Sequence, residues 1–510
     1  MLLLRALAVG LVALALASPS GPAQAQGRAQ AREVIVALAA EPRSLLPNTI
    51  VDWTTNNQLE HMYDRLVDRD ARTFKPAPAL ATGWKIVNET TWEFTLRPGV
   101  KFHNGEPFNA QSVKATMDYI KDPANKTHYL PRWVLVREVQ VVNDTTVRFV
   151  TEKPWPGLID RIAGTDFLPM PPRALKDQGI QALAARPIGT GPFKFVQWMR
   201  DERLVLERNP DYWQGAPDLN RVTFRYIPEF SARLAALLAG EVDIMKDVPP
   251  HAVDLVDRSG KAKVRSTVSS RINYLALVNL KPGPMQDLRV RKAMNHAVNV
   301  DELIQQVLKG RATRMCGSLS PINVDHAPGI ECYKHDPERA RALFKEAGVD
   351  PATLQLTLDT PSGRYPLDKD ISLAIAAQLQ RLGIKVNVVV NEWGTHLDKI
   401  KNRTTGDMFF LGWGPALDAQ GTIEQLFIGK QTYSSYGGNA PLEARINQAV
   451  IIVDPKKRLE AWAEIQRAVH AEAPWVSLWQ QHDLYGVASW VEWSPRADEK
   501  VWMYEAKVAR

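Results

Sequence analysis

Two different spacings of apolar residues divide this chain into strands and helices. "TWEFTLRPG" (Thr91–Gly99) and "TTVRFVTE" (Thr145–Glu152) alternate apolar and polar side chains, the pattern of half-buried strands. "REVIVALAAE" (Arg32–Glu41) reads as a first strand, ending in the proline-bounded loop "EPRSLLP". "FKFVQW" and "LVLERN", separated by "MRDER", read as a hairpin. Helical spacing follows Asp336-Pro337, with Ala340, Leu343, Phe344 and Ala347 in line before Gly348. It recurs after Asp454-Pro455, with Leu459, Trp462, Ile465 and Val469 in line. At both starts the aspartate accepts free first-turn amides, and the proline sits where its missing N–H costs nothing. "LQLTLDT", "ISLAIAAQLQRLG" and "IKVNVVV" form a strand–helix–strand run, predicting parallel strands joined by a covering helix. The pattern as a whole is α/β.

The first 25 residues stand apart. Arg5 precedes a short apolar run, Ala6 to Ala17, and "AQA" at Ala23–Ala25 offers a small-residue cleavage site. This reads as a secretory signal peptide, the run being well short of the roughly 20 residues that span a bilayer. An exported protein is expected to be oxidised, so Cys316 and Cys332, the two cysteines of the chain, read as a disulfide across a Gly/Pro-rich loop. Closing it would contribute about 3 kcal/mol in the chain-entropy model. Two separate buried thiols are the alternative.

With 510 residues, more than one core is expected, yet no low-complexity linker interrupts the chain. A net charge of +7 raises the possibility of nucleic acid, but the basic residues are scattered singly or alternate with acids, as solvated helix faces do. No nucleophile elbow, Walker loop, zinc-protease helix or dinucleotide fingerprint is present, so a catalyst has no specific support. Among the histidines, His103 in "KFHNG" reads as a structural hydrogen bonder and His296 as helix packing. His396 and His482 have no metal-ligand spacing, and no metal or cofactor is expected. The 15 tryptophans are more telling, because Trp53, Trp393 and Trp413 stand at the ends of elements. Flat rigid faces at such places suit a concave pocket, and so a binder.

The order of short motifs then becomes specific. "EPRSLLP", "PAPALATGW", "FTLRPGVKFHNGEPFNAQSV", "PIGTGPFKF", "ERNPDYW", "LLAGEVDI", "DLRVRKAMNHAVNVDELI" and "HDPERARALFKEAG" resemble, in sequence order, the type-II periplasmic solute-binding proteins of ABC importers, peptide/nickel-binding family 5. The resemblance implies two α/β lobes around a ligand cleft, with an additional subdomain in the first. Lobe I is expected over 32–268, with an insert near 51–185, lobe II over 269–479, and a return to lobe I over 480–510. It implies capture of a peptide or similar carboxylate-bearing solute, delivery to an inner-membrane permease, a periplasmic location and a monomer. Sugars, opines and metal complexes are the rival ligands within the family, and a secreted hydrolase is the rival outside it. Gly189, Gly191 and Pro192 are expected to keep a tight turn.

The resemblance also suggests site residues. Arg364 stands where dipeptide binders carry an arginine for the ligand's carboxylate, with Tyr365 beside it. Trp393 and Trp413 would supply stacking and cover, Gly414 a close backbone approach, and Trp53 another flat wall. Asn273, in a loop from Ser269, would line the hinge side. In peptide binders an aspartate four positions after the glycine of the Gly-Trp pair grips the ligand's ammonium; counted from Gly412 that position is Ala416. The nearest acid is Asp418, so either Asp418 does this work or the ammonium contact is lost.

Overall fold

The computed structural model describes residues 21–50, 52–415 and 417–509. Most of the expected leader, and Ala416, lie outside these. Among the described residues no helix is long and apolar enough to cross a membrane.

One 11-stranded mixed sheet runs through the molecule. From one edge the order is Lys385–Asn391, Gln355–Pro361, Met408–Trp413, Ala262–Leu277, Trp475–Ala488, Ile244–Lys246, Glu33–Leu38, Arg221–Tyr226, Arg203–Arg208 and Phe193–Met199, with Ala312–Arg314 pairing off this path. The predicted strand–helix–strand unit is there: Gln355–Pro361 and Lys385–Asn391 pair in parallel, joined through the helix Asp368–Gln380. The predicted hairpin is there too, Phe193–Met199 against Arg203–Arg208. A separate four-stranded antiparallel sheet holds the two alternating strands, Thr91–Leu96 and Thr146–Thr151, side by side at its centre. Both aspartate caps form, Asp336 accepting from the Arg339 amide and Asp454 from the Lys457 amide.

Two long strands, Ala262–Leu277 and Trp475–Ala488, tie the halves of the large sheet together. Their ladder breaks between Val268, paired with His482, and Ile272, paired with Gln480, so that three residues stand opposite the single Gln481. Ser269 to Asn273, expected as a loop, is therefore a bulged part of a strand, and Ser269, Ser270, Arg271 and Asn273 are all buried. The bulge is fastened to the C-terminal segment: the Ser270 amide donates to Ala497 O at 2.7 Å, and Ser269 Oγ to Glu499 at 2.8 Å. A bulge bends a strand and leaves backbone groups without ladder partners; here a distant segment answers them.

The structural motifs behave as their residue types require. A Cβ at Gly189 would lie 2.0 Å from Met62 O, and one at Gly191 2.6 Å from Met62 C, so only glycine lets this turn pass. His103 fixes the same turn, its Nε2 meeting Gly191 O at 3.0 Å. His296 packs edge-on against Tyr333. Cys316 and Cys332 are joined as a disulfide.

Candidate functional site

A cleft opens beside the bulge. Seven of the eight expected contacts line it: Trp53, Arg364, Tyr365, Trp393, Trp413, Gly414 and Asp418. Asn273 does not. It lines a smaller neighbouring cavity with Gln481 and Trp479, and Tyr365 borders both cavities. The reason lies in the register: Asn273 pairs with Gly412, deeper in the sheet than Trp413, and its Nδ2 donates to Gln481 at 3.3 Å.

The glycines of "GWG" are required by the protein itself. A Cβ at Gly412 would come within 2.7 Å of both Asn273 Oδ1 and Tyr365 Cε1, and one at Gly414 within 3.0 Å of Arg271. Arg271 uses that closeness, donating to Gly412 O at 2.6 Å, while the Tyr365 hydroxyl donates to the same oxygen at 3.1 Å. Trp413 is left half-buried at the strand end, edge-on to Tyr433 with centroids 5.5 Å apart.

Charge dominates the lining, with six arginines and five aspartates. Five of the arginines have carboxylate partners. Arg65 pairs with Glu60 and Asp68, Arg132 with Asp166, and Arg161 with Asp166 and Glu424. Arg271 meets both oxygens of Glu499 at 2.5 and 2.7 Å in a fully buried pair. Burial opposes charge on Glu499, but Arg271, with Lys246 and, less strongly, Arg364, outweighs it and holds that carboxyl at about 2. Arg364 differs: among the described residues its guanidinium has no hydrogen bond and no carboxylate partner, although the residue is only 7% exposed. Its neighbours are aromatic faces, Tyr365 at 4.8 Å and Trp393 at 5.1 Å from Cζ. Ring faces stabilise a cation without satisfying its N–H groups.

The acids gather elsewhere on the lining. Asp418 Oδ1 accepts from the Gly421 amide at 2.6 Å, and its Oδ2 meets Arg69 at 3.4 Å. Arg69 also reaches Asp160 at 3.3 Å. Burial raises the Asp160 carboxyl to about 6; Arg69 opposes this, while Asp418 and Asp325 add to it by repulsion. Asp418 stands just before a π-helical turn, Gln420–Glu424, whose Gly421 amide donates to it. From the turn Gln420 accepts from the Trp155 indole at 3.1 Å, and Glu424 meets Arg161 at 3.3 Å. A further ion pair joins Arg43 to Asp398 at 2.9 Å.

His396 and His482 do not converge: His396 faces Phe410 O and His482 faces Thr313. Among the described residues no group of three or more His, Cys, Asp or Glu is placed to hold a metal. The cleft arginines escaped the reading of basic residues as solvated faces. The pair Arg65 and Arg69, four apart within the apolar-rich "MYDRLVDRD", carried the available signal. Asp160 and Arg271 offered none, since their partners, Arg69 and Glu499, are distant in sequence.

Comparison with known proteins agrees with this architecture. Residues 75–434 match the family described as bacterial extracellular solute-binding proteins, family 5 middle. The glutathione-binding protein GsiB of Pectobacterium atrosepticum is 26% identical over 460 residues, covering 88% of either chain. Heme-binding protein A of Haemophilus influenzae is 27% identical over 489 residues, covering 89% of this chain and 88% of its own. Among solved structures, the ABC transporter-associated periplasmic binding protein DppA from Helicobacter pylori, in complex with peptide STSA, superposes with a TM-score of 0.86 at 26% identity. That match covers 94% of this chain and 98% of DppA.

Proposed function

Because the chain belongs to the family 5 bacterial extracellular solute-binding proteins, we propose that it captures a peptide-like solute by its carboxylate, at Arg364. The class itself is the solute-binding component of an ABC importer, which binds a ligand ahead of a membrane permease and does not transform it. The observation that carries the proposal is the unpaired, nearly buried guanidinium. A cation removed from water without a counter-ion is costly, and a bidentate carboxylate supplies the missing acceptors. Glutathione, peptide STSA and haem, named as ligands of the relatives, share carboxylate chemistry.

Lobe I comprises 32–268 with 480–510, carrying the insert near 51–185, and lobe II is 269–479. The hinge is the bulge at Ser269–Arg271 and the facing part of Trp475–Ala488. On this division Arg69–Asp418, Trp155–Gln420, Arg161–Glu424 and Arg43–Asp398 all cross the cleft and hold it shut. Asp418 thus acts in closure, both its oxygens having protein partners, and a ligand ammonium falls to Asp160, which shares Arg69 with Asp418. Trp53, Trp393, Trp413 and Tyr365 wall the ligand. Ligand favours the closed state by its differential affinity for it. The protein acts in the periplasm, exported by its leader.

A thermal-shift screen of the exported chain against peptides, amino acids, sugars and nickel complexes tests the proposal. Stabilisation by carboxylate-bearing peptides is expected. A response confined to neutral sugars or nickel complexes would contradict it.

A further inference from the structure

Arg364 stands in an irregular loop between the strand Gln355–Pro361 and the helix Asp368–Gln380. Gly363 and Leu367 adopt φ of 77° and 55°, so the chain doubles back sharply there. Such a loop has no ladder, and its buried amides need acceptors. They find them in one side chain. The Asp368 carboxylate accepts from the amides of Gly363 at 3.1 Å, Arg364 at 2.9 Å, Tyr365 at 3.0 Å and Lys369 at 2.9 Å. Each oxygen takes two of these bonds, and the residue is only 2% exposed. The other side of the loop is closed as well: a Cβ at Gly363 would lie 3.2 Å from Pro228 O. That carbonyl and Ile227 O are themselves held by the buried Arg233, at 2.6 and 2.7 Å.

We propose that Asp368 is the positioning residue of the carboxylate site. It fixes the backbone of Arg364 and Tyr365, so that the guanidinium meets a ligand carboxylate already in place. This rests on the assignment of the ligand carboxylate to Arg364 and extends it to a residue that never touches ligand. The physical gain is preorganisation: an arginine side chain carries much rotamer freedom, and freezing its base before binding removes part of that cost from the affinity. Tyr365 links the same clamp to the neighbouring strand through its hydroxyl bond to Gly412 O. An asparagine at 368 keeps one acceptor oxygen but turns an NH₂ toward two amide N–H groups, and the clamp opens on that side.

Calorimetry with trialanine and trialanine amide tests this on the full exported chain. The wild type, Asp368→Asn, Arg364→Gln and the double variant are compared. Wild type is expected to prefer the free acid at least about tenfold. In Asp368→Asn that preference falls below about threefold while affinity for the amide stays within about twofold, and in the double variant Asp368→Asn adds nothing to Arg364→Gln. A variant that keeps the full preference, or that loses both ligands equally, overturns the positioning role and leaves the Arg364 reading standing. If the wild type shows no preference, or binds neither probe, the carboxylate reading itself fails. Amide hydrogen exchange then decides the clamp. Exchange at 363–365 at least about tenfold faster in Asp368→Asn, with the rest of the helix Asp368–Gln380 unchanged, supports it; unchanged or uniformly faster exchange overturns it.

Discussion

The cleft is charged in two opposite ways. Around Arg364 there is a cation with no carboxylate in bonding contact among the described residues, only the more distant field of Glu499, backed by rings and by a loop clamped on Asp368. Around Arg69 there are anions in excess: Asp160 and Asp418 share this arginine, and Asp325 stands near enough to repel them. At the first site the charge is spread over a planar fork of N–H donors. At the second the cost of crowding shows as proton affinity, with Asp160 raised to about 6. On the proposed reading, one region receives an anion. The other balances holding the cleft shut against receiving a cation, and a proton tips it.

The comparison can be broken at several points. The largest effect should come beneath the arginine site, where Arg271 is answered by Glu499. Glu499→Gln leaves a second buried guanidinium without an anion, at a cost of about 3–5 kcal/mol in urea unfolding. Arg364→Gln should leave the fold intact and weaken a free-acid ligand about 10- to 100-fold by calorimetry, with little change for its C-terminal amide. At the acidic site, N-acetylation of a peptide should cost the wild type about five- to tenfold, and Asp160→Asn should abolish that difference. Asp418→Asn should instead weaken free and acetylated forms alike, by about two- to fivefold, because it loosens closure. A larger loss for the free amine would return the ammonium to Asp418. The smallest effect is a pH dependence. Lowering pH from 7.5 to 5 protonates Asp160 through its value of about 6 and removes an anion. Affinity for a free-amine peptide should then fall a few-fold more than that of its acetylated form, because both share the response of Asp368, which burial also raises to about 6 and whose protonation loosens the clamp behind Arg364.

Local signals were legible in the sequence. The caps at Asp336 and Asp454 and the strand–helix–strand run are decided by residues close together in the chain, and they stand as expected; the turn at Gly189 and Gly191 stands too, though its glycines answer to the distant Met62. The cleft lining was legible in outline, its tryptophans because they sit at element ends and Arg364 through the family resemblance. What stayed hidden depends on distant partners. Arg271 is answered from 228 positions away by Glu499, and a strand bulge at Ser269–Arg271 looks like a loop until the C-terminal segment is seen to satisfy it. Gly412 and Gly414 looked like room for a ligand, yet that room is taken by Arg271, Asn273 and Tyr365. Periodicity could not separate these meanings, because a glycine against ligand and a glycine against protein have the same pattern.

The most direct test is a crystal structure of the exported protein, purified without denaturation so that co-purified solute is retained. The account predicts a ligand carboxylate within hydrogen-bonding distance of the Arg364 guanidinium, and Asp418 still on Arg69 and the Gly421 amide. A bound solute that leaves Arg364 unpaired, or one whose only ionic contact is Asp418, would contradict it.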